Sequence, residues 1–244
     1  MRTGGWVCAI ALVLIVAANG AAAQDISISM GEGGSISART IQLLALVTVL
    51  SLAPGIAIMI TCFPFIVTVL SILRQGIGLQ QSPPNMLIIS LALFLTYFVM
   101  APVFTEAWTN GIEPLLAETL PLDEAVTRAL SPFRGFMAAR VDGSTFASMA
   151  ALRPDAAEIV TGPDAPLSVL VPSFMLSEIA RAFQIGFLIF LPFLIIDLVI
   201  AAILMSMGMM MVPPAMVSLP FKLAFFVIAD GWTLIADSLV RGYM

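Results

Sequence analysis

The chain has 244 residues and a formal net charge of -5, which excludes the strongly basic surface typical of nucleic-acid-binding proteins. Hydrophobic residues make up 60% of it and charged residues 10%, whereas soluble globular domains have roughly 45 to 50% and about 25%. Together with a mean hydropathy of +1.08, this composition predicts an integral membrane protein.

Residues 1–23 have the organisation of a cleavable signal peptide. Arg2 supplies a positive charge, residues 6–17 form an apolar core too short to span a bilayer, and Ala21 and Ala23 provide a small-residue cleavage site. We predict cleavage after Ala23, so that the mature chain begins outside the cytoplasm. Residues 24–40 are then expected to form a short extracytoplasmic lead-in.

Residues 41–104 are predicted to form a first pair of apolar helices. A single helix over residues 41–73 would measure roughly 50 Å against a hydrocarbon thickness of about 30 Å, so it must bend or break. Pro54 and Pro64 are the expected positions, because proline removes a backbone hydrogen bond and crowds the preceding turn. The polar segment RQGIGLQQSPP, residues 74–84, predicts a cytoplasmic loop before the second apolar run at residues 85–104.

Residues 105–172 differ in character and predict a small helical extracytoplasmic insert. They include nine acidic residues and four arginines. The segment LDEAVTRALSPFRGFMAAR suggests two short amphipathic helices joined at Ser131 and Pro132, and Ser144 is a plausible N-cap for a third. No acidic residues have the spacing of a calcium-binding loop, so we interpret them as a solvated face and predict no metal site.

Residues 173–244 are predicted to form a second helical hairpin with charges inside its apolar runs. Each such charge costs about 2.5 to 3.5 kcal/mol at the bilayer centre, so partners are expected. Glu178 and Arg181 are three residues apart and share a helix face. Facing residues of an antiparallel helix pair have a constant sum of residue numbers, and the sums for Asp197 with Lys222 and for Arg181 with Asp237 differ by only one. We therefore predict both pairs, as contacts between helices or subunits; a proton-conducting role for Asp197 is the alternative.

This register places the tip of the hairpin at Met209 or Met210, inside the methionine-rich segment LMSMGMMMVPPAM of residues 204–216. Methionine is flexible and fills irregular gaps, so a simple apolar turn is one interpretation. Thioether sulfurs are also ligands for Cu(I). The chain has no histidine and only two cysteines, however, and neither cysteine lies near the methionines, so a copper transporter is the weaker interpretation.

Three long motifs resemble one known family. FLIFLPFLIIDLVIAAILMSMGMMMVPPAMVSLPFKLAFFVIADGW, SILRQGIGLQQSPPN and LALFLTYFVMAP are similar to the FliP/SctR family of flagellar and type III secretion export-gate proteins. The resemblance covers residues 41–240, and a signal peptide is typical of the flagellar branch. One segment departs from the family pattern. Where a T-x-F-T-R-like run is expected, the chain has TCFPFIV, with Pro64 and Phe65.

The resemblance implies a non-enzymatic, all-α membrane protein of helical hairpins, with about four apolar helical regions and no cofactor. Several copies, commonly five in the family, assemble with two smaller partners, FliQ-like and FliR-like, into a pseudo-helical pore in the flagellar basal body at the inner membrane. Unfolded export substrates pass through this pore, and larger export components act with it. The family's methionine loop forms a gasket around the path, at positions that match Met209, Met210 and Met211, with Met207 beside them.

Other functions remain as alternatives. The same resemblance is compatible with a virulence-type secretion system. A proton-linked carrier built around Asp197 and Lys222 would normally show an internal repeat, and none is visible. An enzyme is not expected, because the chain has no G-x-x-x-x-G-K-[ST] loop and no nucleophile with an accompanying base.

Overall fold

The structure is a computed structural model that describes residues 36–78, 83–154, 159–209 and 211–243. The predicted signal peptide and most of the predicted lead-in lie outside these residues. The described residues form helices and connecting turns, in agreement with the predicted all-α class. The chain divides into two units, residues 1–49 and 50–244, and the tertiary contacts described below are those of the second.

The helices, numbered in chain order, are α1 (Ile36–Met59), α2 (Phe63–Ile77), α3 (Asn85–Ala107), α4 (Glu113–Leu116), α5 (Leu122–Arg140), α6 (Gly143–Ala151), α7 (Leu167–Ser206), α8 (Pro214–Ile228) and α9 (Gly231–Arg241).

The break predicted within the first apolar region lies at residues 60–62, between α1 and α2. Pro64 stands in the first turn of α2, where its missing N–H would have no partner inside the helix and its fixed φ suits a helix start. Pro54, by contrast, lies inside α1 and does not end it. Of the two expected positions, only the one at Pro64 separates two helices.

The polar loop after α2 is closed at both ends. Gly78 ends α2 in the left-handed conformation, with φ +88°, and its N–H donates to the carbonyl of Gln75 at 3.1 Å. Arg74 then reaches across the loop, where its guanidinium donates to the Asn85 side chain and to the Pro83 carbonyl. Because these contacts join the last turn of α2 to the first turn of α3, the two helices are fixed as a pair.

The most extensive helix contact lies between α2 and α7. A Cβ atom on Gly186 of α7 would be 2.4 Å from Ile72 Cδ1, and one on Gly76 of α2 would be 2.9 Å from the Phe193 ring. Glycine at both positions therefore lets the two helices approach more closely than any larger residue would. The helix core around this contact consists of Cys62, Phe65, Ile66, Val69, Leu70, Leu73, Ile77, Ile88, Ala92, Met100, Ala182, Phe193, Phe226, Ile235 and Leu239.

The insert is built mainly from α5, which packs against α3, against α7 and against the π-helical turn Trp108–Ile112 that follows α3. We expected two helices joined at Ser131 and Pro132, and this prediction is wrong, because α5 is continuous with Pro132 inside it. Pro132 is buried, and the packing of α5 on its neighbours outweighs the lost backbone hydrogen bond. One of these contacts is so close that Gly111 in the π-helical turn has no room for a side chain beside Ala129.

The next helix, α6, is capped by Asp142 and not by Ser144. The Asp142 carboxylate accepts the N–H of Thr145 at 2.8 Å, which is the usual N-cap geometry. The Ser144 hydroxyl donates to the same carboxylate at 2.5 Å. The hydrogen bonds from Ser144 and Thr145 lower the pKa of Asp142. The capping residue thus lies two positions before the one we predicted.

The longest helix, α7, connects two cores. It has 40 residues, which corresponds to roughly 60 Å, about twice the hydrocarbon thickness. It begins at Leu167, inside the region assigned to the insert, and not near the predicted start of the apolar run at Phe174. Its first turns belong to the insert core, and its later turns to the helix core. The insert core consists of Ile60, Met137, Phe146, Ala150, Ala165, Val169, Leu170 and Phe174.

The last two helices form one bent apolar segment. α8 and α9 meet at 60°, and Asp230 between them has a left-handed backbone with φ 48°. Three helical segments are long and apolar enough to cross a membrane, and the bent α8–α9 pair makes a fourth if it counts as one span. The described residues therefore agree with the prediction of about four apolar helical regions.

The capping contact at Asp142 can be tested by mutation. Asp142→Ala removes the acceptor for the Thr145 N–H and should lower the thermal unfolding midpoint of the detergent-purified chain by a few degrees. Ser144→Ala is the matched control and should have a smaller effect, because its hydroxyl donates to the cap and is not the cap itself. Equal losses from the two variants would contradict this assignment.

Candidate functional site: the methionine turn and its charged supports

The methionine segment forms a tight turn whose backbone closes on itself. α7 ends at Ser206, and Gly208 follows in the left-handed conformation with φ +74°. The Gly208 N–H donates to the Met205 carbonyl at 3.0 Å, and the Met209 N–H donates to the Leu204 carbonyl at 3.0 Å. These two bonds are those of a Schellman motif, which satisfies the last carbonyls of a helix without using side chains.

The methionine side chains project away from this turn. Met205, Met207 and Met209 are exposed, and Met211 is 98% exposed. Met210 lies outside the described residues. On the far side of the turn, Pro213 is extended and α8 begins at Pro214, where proline is favoured. The segment therefore combines a fixed entry, a fixed exit and apolar side chains that the rest of the single chain does not cover.

Asp197 of α7 and Lys222 of α8 are brought together, at the contact that the antiparallel register predicts. Lys222 Nζ lies 2.6 Å from Asp197 Oδ2, and the Ser218 hydroxyl donates to Asp197 Oδ1 at 2.5 Å. The Lys222 side chain is only 6% exposed, whereas that of Asp197 is 33% exposed. Asp197 thus neutralises a buried ammonium group, while its own side chain remains partly exposed.

The second predicted pair, Arg181 with Asp237, is wrong within this chain. Arg181 donates to Glu178 on its own helix at 3.1 Å, and Asp237 accepts from Arg241 at 2.7 Å. The reason is the bend at Asp230. The antiparallel register holds along α8, but α9 turns away by 60° before it reaches Asp237.

Glu178 is the centre of a second charged cluster. It is fully buried, and its Oε1 accepts from Arg140 Nε at 3.2 Å and from Arg181 Nη1 at 3.1 Å. Its Oε2 accepts the hydroxyl of Tyr243. Sequence reasoning found Glu178 and Arg181 through their spacing, but it missed Arg140 and Tyr243. These lie 38 and 65 residues from Glu178, so no local spacing could have indicated them.

The departure from the family pattern lies next to this cluster. Phe65, where an arginine was expected, is buried and meets the Tyr243 ring edge-on, with 5.4 Å between the ring centres. Pro64 stands in the first turn of α2 and is compatible with the helix there. α2 therefore forms with Pro64 in its first turn, and an aromatic contact occupies the position of the expected arginine.

Comparisons with known proteins agree with the motifs. The FliP family profile matches residues 46–239. Flagellar biosynthetic protein FliP of Caulobacter vibrioides is 52% identical over 229 residues, covering 94% of this chain and 86% of the relative. The protein of the same name from Bacillus subtilis is 49% identical over 208 residues, covering 84% and 92%. That of Aquifex aeolicus is 43% identical over 219 residues, covering 89% and 91%.

The difference in exposure between Asp197 and Lys222 predicts unequal mutational costs. Asp197→Ala leaves a buried ammonium group unpaired and should lower the free energy of unfolding by about 3 to 5 kcal/mol. Lys222→Met leaves a carboxylate that is one-third exposed and still bonded to Ser218, so its cost should be about 1 kcal/mol. Denaturant unfolding of the detergent-solubilised protein measures both costs.

A charge swap tests the pairing itself. The double variant Asp197→Lys with Lys222→Asp should be more stable and assemble better than either of its single changes, because it restores one positive and one negative charge at the contact. A double variant that is no better than the singles would show that the two side chains do not interact as a pair.

Proposed function

Since the chain belongs to the FliP family, we propose that it is a core subunit of the flagellar type III export gate. Several copies form the pore through which unfolded flagellar proteins cross the inner membrane, and the methionine turn closes that pore. The matched relatives carry a flagellar name, which favours a flagellar system over a virulence system. The proposed gasket residues are Met207, Met209, Met210 and Met211.

The observation that carries this proposal is the contrast between backbone and side chains at the turn. The backbone is fixed by the Schellman bonds at Gly208 and by the proline start of α8, while Met207, Met209 and Met211 extend from it uncovered. A site that must grip passing chains of any sequence needs a fixed frame and adaptable contacts. Methionine has three rotatable bonds and a polarizable sulfur, so it provides such contacts.

A ring of these turns would also explain how the membrane stays sealed. Apolar side chains that converge on a narrow axis exclude water, and a constriction without water blocks ions. When a substrate enters, the side chains move aside and contact it, so the seal follows the shape of the chain that passes. No catalytic group is required for this function, and the energy for transport comes from other components.

Surfaces that one copy leaves open support the proposed assembly. α7 exposes large apolar side chains along its length, which lipid or neighbouring subunits must cover. We propose that copies of this chain and FliQ-like and FliR-like subunits cover them in the basal body, while larger export components act at the cytoplasmic side. The mature chain begins outside the cytoplasm after cleavage at Ala23.

The charged residues are proposed to support this assembly. Asp197 with Lys222 joins α7 to α8, and Glu178 with Arg140 joins α7 to α5, while Arg181 pairs with Glu178 on the same helix. Asp237 forms an exposed pair with Arg241 on α9, so it is the member of the set that is most accessible to a neighbouring subunit.

The gasket predicts an ion leak. Replacing Met209, Met210 and Met211 together with glycine removes the apolar bulk, so cells that carry the variant should become permeable to small ions while the export machinery still assembles. Membrane potential measured with a fluorescent dye reports the leak, and co-purification of the gate subunits reports assembly. A sealed membrane around an assembled gate would contradict the gasket.

Two controls separate bulk from other properties of these methionines. Replacing the same three residues with leucine keeps the apolar volume and should keep the membrane sealed, with slower export because leucine adapts less well. Met86→Ala changes an exposed methionine at the start of α3, far along the chain from the turn, and should have no effect on ion permeability.

Copper tolerance should be the same in every variant, and its loss in the glycine variant alone would support metal transport instead.

A flagellar role predicts a simple phenotype. Deletion of the gene should abolish swimming in soft agar and secretion of flagellar subunits, and a copy of the wild-type gene should restore both. Normal flagella in the deletion strain, with a defect in secretion of virulence proteins, would favour the virulence branch.

A further inference from the structure

The segment after α9 contributes directly to the buried Glu178 cluster. Oε1 of this carboxylate has two arginine partners, from α5 and from α7, and Oε2 accepts from Tyr243. A buried carboxylate oxygen without a donor is strongly destabilising. Tyr243 is therefore needed to complete the site.

The same segment is held by four further contacts. The Arg140 guanidinium lies 3.9 Å from the centre of the Tyr243 ring and also donates to the Gly242 carbonyl at 2.8 Å. The ring stacks on Phe136 of α5 and meets Phe65 of α2 edge-on. Residues 242 and 243 thus contact α2, α5 and α7 at one point.

α9, which precedes this segment, buries Ile235 and Leu239 in the helix core but leaves an open side toward α3. Between α9 and α3 lies a cleft of about 570 Å³, lined mainly by the apolar side chains Leu91, Leu95, Phe98, Trp232 and Val240. At its other end, α9 begins beside Asp230, a non-glycine residue in the left-handed conformation at a 60° bend. Such residues are often found where a backbone is locally strained.

We propose that α9 is a hinged flap, with Asp230 as its hinge and Tyr243 as the latch that holds it closed against Glu178. When the latch opens, α9 swings at the bend and uncovers the end of the helix core around Cys62. The remainder of the fold stays in place, because the contact of α2 with α7 at Gly186 does not involve α9.

Cys62 is a natural reporter of this motion. It is fully buried in the helix core, against which Tyr243 also packs, and burial raises the pKa of its thiol to about 12. A closed flap, with Tyr243 packed on this core, therefore keeps Cys62 buried and protects its thiol from maleimide. Cys8 is the chain's other cysteine, so Cys8→Ser leaves Cys62 as the single thiol.

The experiment compares maleimide labelling rates of the full-length protein in mild detergent, in the Cys8→Ser background. Tyr243→Phe keeps the ring and removes the hydrogen bond to Glu178, so labelling of Cys62 should be about tenfold faster, the change in an opening equilibrium that corresponds to one hydrogen bond to a charged group. Tyr243→Ala removes the ring as well and should label faster still. Arg241→Ala is the matched control, since it removes an exposed pair at the end of the same helix and should label like the wild type.

Hydrogen exchange of the same variants distinguishes a flap from general loosening. Amides of α9 should lose protection in Tyr243→Phe, while those of α2 and α7 keep it. The proposal is overturned if Tyr243→Phe is folded and labels at the wild-type rate, or if protection falls equally in α2, α7 and α9. Should Tyr243→Ala fail to fold, the Tyr243→Phe result alone decides.

Discussion

The close approach of α2 and α7 at Gly186 is the contact on which the other elements depend. Because Ile72 lies where a side chain at position 186 would be, the two helices share one core over several turns. α3 is tied to α2 through Arg74, and α8 is tied to α7 through Asp197. The insert also packs on the first turns of α7. A single long helix thus positions the insert, the paired helices and the methionine turn.

The sequence predicted the features that depend on local spacing or on a regular register. The Asp197–Lys222 contact follows from the geometry of an antiparallel pair, and the break before Pro64 follows from proline chemistry. The register failed for Asp237, because one left-handed residue at Asp230 redirects α9. The dipeptide Asp230-Gly231 is a common turn signal and could have indicated this bend.

Tertiary packing explains the other differences between the predictions from the sequence and the structure. Pro132 stays inside a helix because neighbours on several sides hold α5 in place. A helix break predicted from the proline alone does not take these tertiary contacts into account. Arg140 and Tyr243 join Glu178 from distant parts of the chain, so this site becomes visible only in three dimensions. The methionine turn is the opposite case, since its residues are consecutive and its tip could be located from the sequence.

The Schellman turn leaves most side chains at the tip of the methionine hairpin free to change during evolution. Its closing bonds run between backbone groups, and Gly208 is the one position whose side chain the geometry restricts. The neighbouring positions are therefore free to vary without refolding the turn. In the proposed gasket role, this freedom lets selection adjust the width and softness of the tip one residue at a time on an unchanged backbone.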